Sequence, residues 1–250
     1  MIHKSFLSDQ CRAIILGSLL GDGSLKIYKP YRNARFSFRH SVRQREYFNW
    51  KVDQLKGISG ASYQWEQEKN GLGGAMLRYQ SIASEGLTDL YQMTHEKSRL
   101  AIRRRWLNDL TARSLAVWWL DDGSLITNSR RGVFCTDPFI YEEQKILARY
   151  LLKVWDIRVA IGKITRIREG KIHEYYRLWI RSSEELQKFL RIILPFVKVS
   201  EMLPKVLLLY KDSQLQQRWI SEVSYATGFS EELIKDYVVQ KKAKWKMFRK

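Results

Sequence analysis

The chain has 250 residues, enough for one large domain or two smaller ones, and its 45% of hydrophobic residues exclude an intrinsically disordered chain. Lysine and arginine number 44 against 26 acidic residues, which gives a formal net charge of +18. This excess predicts a polyanionic partner, with nucleic acid as the first candidate. We expect no membrane association, because the sequence has no long apolar run and no basic amphipathic anchor.

The start of the sequence lacks the apolar stretch and cleavage site of a signal peptide, so we expect a protein that is not secreted. Cys11 and Cys135 each lie within an apolar pattern and fit core thiols in a reducing compartment. A bacterial cytoplasm or the matrix or stroma of an organelle meets this condition. Four scattered histidines without paired cysteines argue against a structural zinc site.

The first half of the chain predicts helix, two strands, helix, two strands and helix in turn. Ser8 is a candidate N-cap for a helix that continues to Leu20, after which an Asp-Gly pair ends it. Apolar periodicity and turn signals predict the segments that follow: strands over 24–28 and 34–40, a helix over 43–55, strands over 63–68 and 76–82 around a Gly-rich turn at 70–74, and helical structure over 85–106.

The second half repeats this order. The patterns predict a helix over 111–121, strands over 124–127 and 132–136, a helix over 141–154, strands over 161–168 and 175–181 around a turn at 169–171, and a helix over 183–196. No low-complexity linker separates the halves, so we expect them to pack tightly together. We divide the chain into a first repeat at 1–106, a second repeat at 107–210 and a basic helical tail at 211–250.

The tail predicts two helices joined by a turn at Gly228, with Ser230 capping the second helix. Small Ser224 lies four residues before the glycine, and this pattern fits a DNA-binding helix-turn-helix. A helical hairpin that only packs on the body of the protein explains the pattern equally well.

The tetrapeptide Asp-Gly-Ser-Leu occurs twice, beginning at Asp22 and at Asp122, each time after an apolar stretch. Such self-similarity implies two copies of one structural unit, and equivalent units commonly pack around a two-fold axis. Two carboxylates that meet at such an axis would form a site for a divalent metal ion. Gly17 and Gly21 share one face of the first helix and would let another backbone approach closely.

Segments 15–23 and 115–123 resemble the nine-residue signature of the LAGLIDADG homing endonuclease family, and the order of elements around each segment matches the family unit. The resemblance covers roughly residues 6–210 and is to single-chain members with two motifs. It implies an α+β fold with two pseudo-symmetric αββαββα units, each with a saddle-like antiparallel sheet. A C-terminal helical extension follows these units.

The second motif departs from the family signature at Val117 and Asp121, where the signature has small residues. We therefore expect an asymmetric helix contact in which Gly17 and Gly21 supply most of the room beside Val117. Asp121 fits either a surface charge at the helix end or a group that supports the metal ligands. We expect the surface charge.

The resemblance implies a monomeric endonuclease that cuts both strands of a long DNA site with Mg²⁺, for which Mn²⁺ can substitute. Asp22 and Asp122 would hold the metal ions, with Gly21 and Asp121 beside them. The family places a basic residue near each active site, and Lys205 matches this position in the second half. Arg99, or alternatively Lys97, matches it in the first half.

DNA would lie along the basic faces of the two sheets, which we expect to enter the major groove as β-ribbons. Strand alternation selects the candidate DNA-binding residues, which are Lys26, Arg35, Arg39, Gln64 and Arg78 in the first half and Asn128, Arg131, Lys163, Arg166, Arg177 and Arg181 in the second.

Two other functions fit the same charge. One is an intron maturase, which binds intron RNA on this scaffold and assists splicing, and the other is a non-catalytic DNA-binding regulator that uses the tail. The presence of both Asp22 and Asp122 favours the endonuclease, because neither alternative needs paired metal ligands.

Overall fold

The first helix begins where the sequence places its N-cap. The computed structural model describes residues 7–68, 74–126, 130–168 and 170–244, and in it the Ser8 hydroxyl accepts a hydrogen bond from the Cys11 amide at 3.2 Å. Helix α1 (Asp9–Leu19) follows and is buried along almost its whole length from Cys11 onward. Among the helices of the described ranges, none is both long and apolar enough to cross a membrane.

The chain divides into two compact units, Met1–Asp121 and Asp122–Lys250. After α1, the first unit contains β1 (Gly23–Lys26), β2 (Arg35–Ser41), α2 (Arg45–Gln54), β3 (Gln64–Gln67), β4 (Met76–Gln80), α3 (Glu85–Thr94), β5 (His95–Glu96), β6 (Arg99–Leu100), α4 (Arg104–Leu107) and all but the last residue of α5 (Ala112–Asp122).

The main sheet of the first unit has the strand order β1-β2-β4-β3, and every neighbouring pair is antiparallel. Phe36, Phe38 and Tyr79 are buried on one face of this sheet, against which α2 and α3 pack. Because strand side chains alternate between faces, the polar residues between these aromatics lie on the opposite face.

The second unit has a sheet with the equivalent order β7-β8-β10-β9, again antiparallel throughout. This repetition confirms the predicted α+β fold class with antiparallel sheets. The unit contains β7 (Gly123–Ile126), β8 (Arg131–Phe134), α6 (Tyr141–Trp155), β9 (Ala160–Arg168), β10 (Lys171–Ile180), α7 (Ser183–Ile193), α8 (Ser213–Thr227) and α9 (Glu231–Lys244).

Continuous helical structure over 85–106 is a wrong prediction. Helix α3 ends at Thr94, and the chain reverses in a tight hairpin between β5 and β6. Lys97 (φ 47°) and Ser98 (φ 64°) both adopt the left-handed conformation that a two-residue hairpin turn requires. Lysine and serine are not typical of such a turn, so the sequence does not indicate that the helical structure ends here.

The tail forms the predicted helical hairpin. Gly228 is left-handed (φ 85°) and ends α8, and the Ser230 hydroxyl accepts a hydrogen bond from the Leu233 amide at 3.3 Å. From α9, the Lys241 ammonium donates to the carbonyl oxygens of Pro204 (2.6 Å) and Leu207 (2.8 Å), and burial lowers the pKa of Lys241 to about 7. These contacts fix α9 on the body of the second unit, and both roles considered for the tail stay predictions.

Candidate metal centre and nucleic-acid interface

Helices α1 and α5 approach closely at two glycines of the first motif. A Cβ atom on Gly17 would lie 2.4 Å from the Ser114 carbonyl oxygen and 2.9 Å from the Val117 Cβ. A Cβ atom on Gly21 would lie 2.6 Å from the Asp121 Cβ. The glycines therefore make room at the positions where the second motif carries its larger side chains.

Asp121 is buried, so the expectation of a surface charge is wrong. The ammonium of Lys51, on α2, donates to both carboxylate oxygens of Asp121, at 2.9 and 3.0 Å, and both side chains are fully buried. The Tyr47 hydroxyl, four residues earlier on α2, donates to the same carboxylate at 2.9 Å. Burial, with the added effect of the Asp121 charge, raises the pKa of Tyr47 well above its ordinary value.

Asp22 follows α1 and lies beside this ion pair. The Asp22 amide donates to the Asp121 carboxylate at 3.4 Å, while the Asp22 side chain is 39% exposed. His40, on β2, faces both carboxylates, with its Nδ1 3.4 Å from Asp22 Oδ2 and its Nε2 3.8 Å from Asp121 Oδ1. The structure thus brings together two carboxylates and one imidazole whose potential ligand atoms all lie within 4.8 Å of one another.

The Asp22 carboxylate opens onto a groove of about 410 Å³ along the exposed face of the first sheet, which is lined by Ser24, Lys26, Arg39, Trp65 and Arg78 among others. An exposed carboxylate offers the hard oxygen donors that Mg²⁺ prefers, and the groove leaves room for the water molecules that this ion retains. The Asp22 carboxylate and the adjoining groove therefore fit the metal that the family resemblance implies.

Strand register places the predicted basic residues of the first unit on this exposed face. Lys26 pairs with Arg35, Arg39 pairs with Arg78, and Arg78 pairs with Trp65 on its other side. Residues directly opposite one another in a sheet share a face, so these five side chains lie on one surface. We call this surface the basic face of the first unit.

Gln64 does not belong to the basic face. It pairs with Tyr79, which is buried on the helix-covered face, so the predicted strand phase of β3 is wrong by one residue. Trp65 takes the place that the prediction assigned to Gln64, and its side chain is 45% exposed. The short β3 contains no apolar alternation that could have indicated its phase.

In the second unit, one acidic side chain binds two of the predicted DNA-contacting arginines. Asp137 accepts a hydrogen bond from Arg177 at 2.7 Å and lies 3.4 Å from Arg166. The hydrogen bond to Asp137 raises the pKa of Arg177. Arg131 and Arg181 are both exposed, at the start of β8 and just after the end of β10.

Lys163 and Arg177 lie on opposite faces of the second sheet, so the predicted position of Lys163 is wrong. Lys163 pairs with Tyr176, the neighbour of Arg177, and consecutive strand residues point to opposite faces. Lys163 also forms an ion pair with Glu174. Asn128 lies outside the described residues.

Asp122 and Lys205 lie close to the same thiol in the second unit. The Asp122 carbonyl oxygen accepts a hydrogen bond from the Cys135 amide at 3.0 Å. Burial raises the pKa of Cys135, with the Asp122 charge acting in the same direction and the Lys205 charge in the opposite one. Lys205 ends a 3₁₀ turn over Ser200–Lys205, and its role beside Asp122 stays a prediction.

The two candidate basic residues of the first unit lie in the β5–β6 hairpin. Lys97 occupies the turn and Arg99 begins β6, and both are exposed. Their catalytic roles also stay predictions.

His40 and Lys51 are two residues beside the motif carboxylates that sequence reasoning missed. Each is a polar side chain in the apolar phase of its element: His40 continues the alternation of Phe36 and Phe38, and Lys51 follows Tyr47 by one helical turn. A polar residue at a core position needs a buried partner, and that signal was available in the sequence.

Residues 12–189 match the LAGLIDADG DNA endonuclease family, and the chain belongs to this family. Curated relatives include Protein RecA of Mycobacterium gastri, which is 34% identical over 133 residues, or 52% of this chain and 30% of that protein. The chain therefore spans less than a third of the length of this relative. DNA endonuclease I-ChuI of Chlamydomonas applanata is 24% identical over 206 residues, covering 76% of this chain and 92% of that enzyme.

A solved structure of similar fold is the homing endonuclease I-WcaI bound to its DNA recognition sequence. It superposes with a TM-score of 0.67 at 21% identity and covers 82% of this chain and 89% of that one. This similarity shows a shared fold.

Proposed function

We propose that the chain is a homing endonuclease that makes a metal-dependent double-strand break in a long, specific DNA site. The observation that carries the proposal is the position of Asp22, whose exposed carboxylate borders the groove along the basic face. A metal-binding carboxylate next to a phosphate-binding surface is the arrangement that phosphodiester hydrolysis needs. Membership of the LAGLIDADG DNA endonuclease family supports the same activity.

In this proposal each unit contributes one ligating carboxylate, Asp22 from the first and Asp122 from the second. When bound, Mg²⁺, or Mn²⁺ in its place, would lower the pKa of the attacking water and stabilise charge on the leaving oxygen. Lys205 would stabilise the negative charge that develops on the phosphate. Because the chain carries both motifs, we propose that it acts as a monomer.

The basic face would position the DNA. Lys26, Arg39 and Arg78 would bind phosphates or base edges, and most such contacts go to the phosphate backbone. Trp65 offers an apolar surface among these cations, which suits contact with a thymine methyl group in the major groove.

The test is a cleavage assay on duplex DNA that joins the two sequences flanking the insertion site of this gene. Purified protein with Mg²⁺ should convert a plasmid carrying this duplex into a linear product with short 3′ overhangs. EDTA should abolish the product, and a scrambled duplex serves as the control. Absence of linear product over a range of salt, Mg²⁺ and Mn²⁺ concentrations would contradict the proposal.

A further inference from the structure

His40 has an environment that the proposed reaction does not yet explain. Its side chain is only 1% exposed, and within the described part of the chain neither ring nitrogen has a hydrogen-bond partner. Burying a polar group without such a partner lowers the free energy of unfolding, so the presence of His40 here needs a physical reason. The nearest polar atoms are the carboxylate oxygens of Asp22 and Asp121.

Asp121 is committed to other partners. Its oxygens accept hydrogen bonds from the Lys51 ammonium and the Tyr47 hydroxyl, and the adjacent positive charge of Lys51 opposes a cation at this carboxylate. Asp22 is 39% exposed, so of the two carboxylates it is the one suited to bind a metal ion.

The imidazole is oriented between the two carboxylates. Its Nε2 faces Asp121 at 3.8 Å, and its Nδ1 faces Asp22 at 3.4 Å. If Nε2 carries the proton, the Nδ1 lone pair and the Asp22 oxygen face each other as two acceptors, an arrangement that a cation between them would stabilise. Metal-binding histidines commonly donate a hydrogen bond from their second nitrogen to a carboxylate, and Asp121 would accept this bond if the 3.8 Å separation shortened on metal binding.

We propose that His40 is a nitrogen ligand of the metal ion held by Asp22, and that Asp121, fixed by Lys51 and Tyr47, orients the His40 ring. The inference rests on the proposed function for the presence of a metal ion at Asp22. It adds a ligand that changes the preference of the site, because imidazole suits transition-metal ions whereas Mg²⁺ prefers oxygen, with Mn²⁺ the weakest binder of the transition series. The equivalent place in the second unit, after β8, is occupied by Thr136, so only the first unit gains this ligand.

Electron spin-echo envelope modulation of bound Mn²⁺ tests this ligand directly, because it detects a ¹⁴N nucleus coordinated to the metal. DNA-free wild-type protein with one equivalent of Mn²⁺ should show imidazole ¹⁴N modulation. Labelling of histidine with ¹⁵N should remove it without any mutation. His40→Asn should also remove it and weaken Mn²⁺ binding by about tenfold or more, with a smaller effect on Mg²⁺ measured by competition.

His173→Asn is the matched control, since His173 is exposed on β10, and it should leave both the modulation and the Mn²⁺ affinity unchanged. Asp22→Asn should weaken Mn²⁺ binding. Failure of wild-type protein to bind Mn²⁺, absence of ¹⁴N modulation, or modulation that persists in His40→Asn would each overturn the inference. DNA cleavage without ¹⁴N modulation would overturn this ligand alone, whereas modulation without cleavage would support the ligand and contradict the proposed function.

Discussion

At the scale of single residues, the buried pair of Lys51 and Asp121 shows how one substitution in a motif changes its surroundings. The signature has a small residue at this position, and Asp121 introduces a charge between two helices that would be strongly destabilising alone. Lys51 neutralises the charge and Tyr47 satisfies a further acceptor site. The Asp121 carboxylate also accepts a hydrogen bond from the Asp22 amide. The buried pair therefore helps to position Asp22, the proposed metal ligand.

A double-mutant cycle measures the interaction free energy between Lys51 and Asp121. Lys51→Met and Asp121→Asn should each lower the free energy of unfolding by about 3–5 kcal/mol, because each leaves the other partner in a buried site without its counter-charge. The double variant should lose much less than the sum of the two single losses. Urea denaturation checks this, and additive losses would show that the two side chains do not interact.

At the scale of elements, the α1–α5 contact depends on the absence of side chains in α1. Gly17→Ala would place a methyl group 2.4 Å from the Ser114 carbonyl oxygen, a backbone atom that cannot move away by a change of rotamer. We expect a loss of about 2 kcal/mol or more in unfolding free energy. Gly57→Ala is the matched control, because a methyl group there meets no atom within 4 Å.

The phase of β3 gives a second element-scale prediction. Trp65→Ala should weaken binding of the cognate duplex by on the order of tenfold, because Trp65 lies on the basic face. Gln64→Ala should leave the dissociation constant nearly unchanged, because Gln64 lies on the opposite face of the same strand. Fluorescence anisotropy with labelled duplex measures both constants, and a larger effect for Gln64 would reverse the assignment of faces.

Helix boundaries and individual strands could be predicted wherever a local residue or pattern determines them. Ser8 caps α1, Gly228 ends α8, and apolar alternation identifies β2. The hairpin after α3 could not be predicted, because left-handed Lys97 and Ser98 are held there by the surrounding fold and not by their own preferences. The sheet faces predicted for Gln64 and Lys163 are wrong because both residues lie in strands with little apolar alternation.

The candidate site was predictable in part for the same reason. Asp22 is marked by its motif, whereas the environment of Asp121 depends on α2, whose Lys51 lies 70 residues away in the sequence. Only the tertiary packing shows that this carboxylate has a buried partner. The presence of His40 beside Asp22 likewise depends on the pairing of β1 with β2.

At the scale of the whole molecule, the formal net charge is +18, and the arginines of the two sheets have different neighbours. In the second unit Asp137 binds Arg166 and Arg177, so a phosphate must compete with a carboxylate for these two arginines. In the first unit the basic face groups Lys26, Arg39 and Arg78 around the groove. The repeated architecture therefore supports two electrostatically different halves.

The central claim is that each unit contributes one catalytic carboxylate. Plasmid linearisation by Asp22→Asn and Asp122→Asn tests it most directly. The control is Asp89→Asn, which changes an exposed residue of α3. Each motif variant should lose the linear product while its dissociation constant for the duplex stays within about threefold of wild type. Asp89→Asn should cut as wild type does. Wild-type yield of linear product from either motif variant would contradict the account.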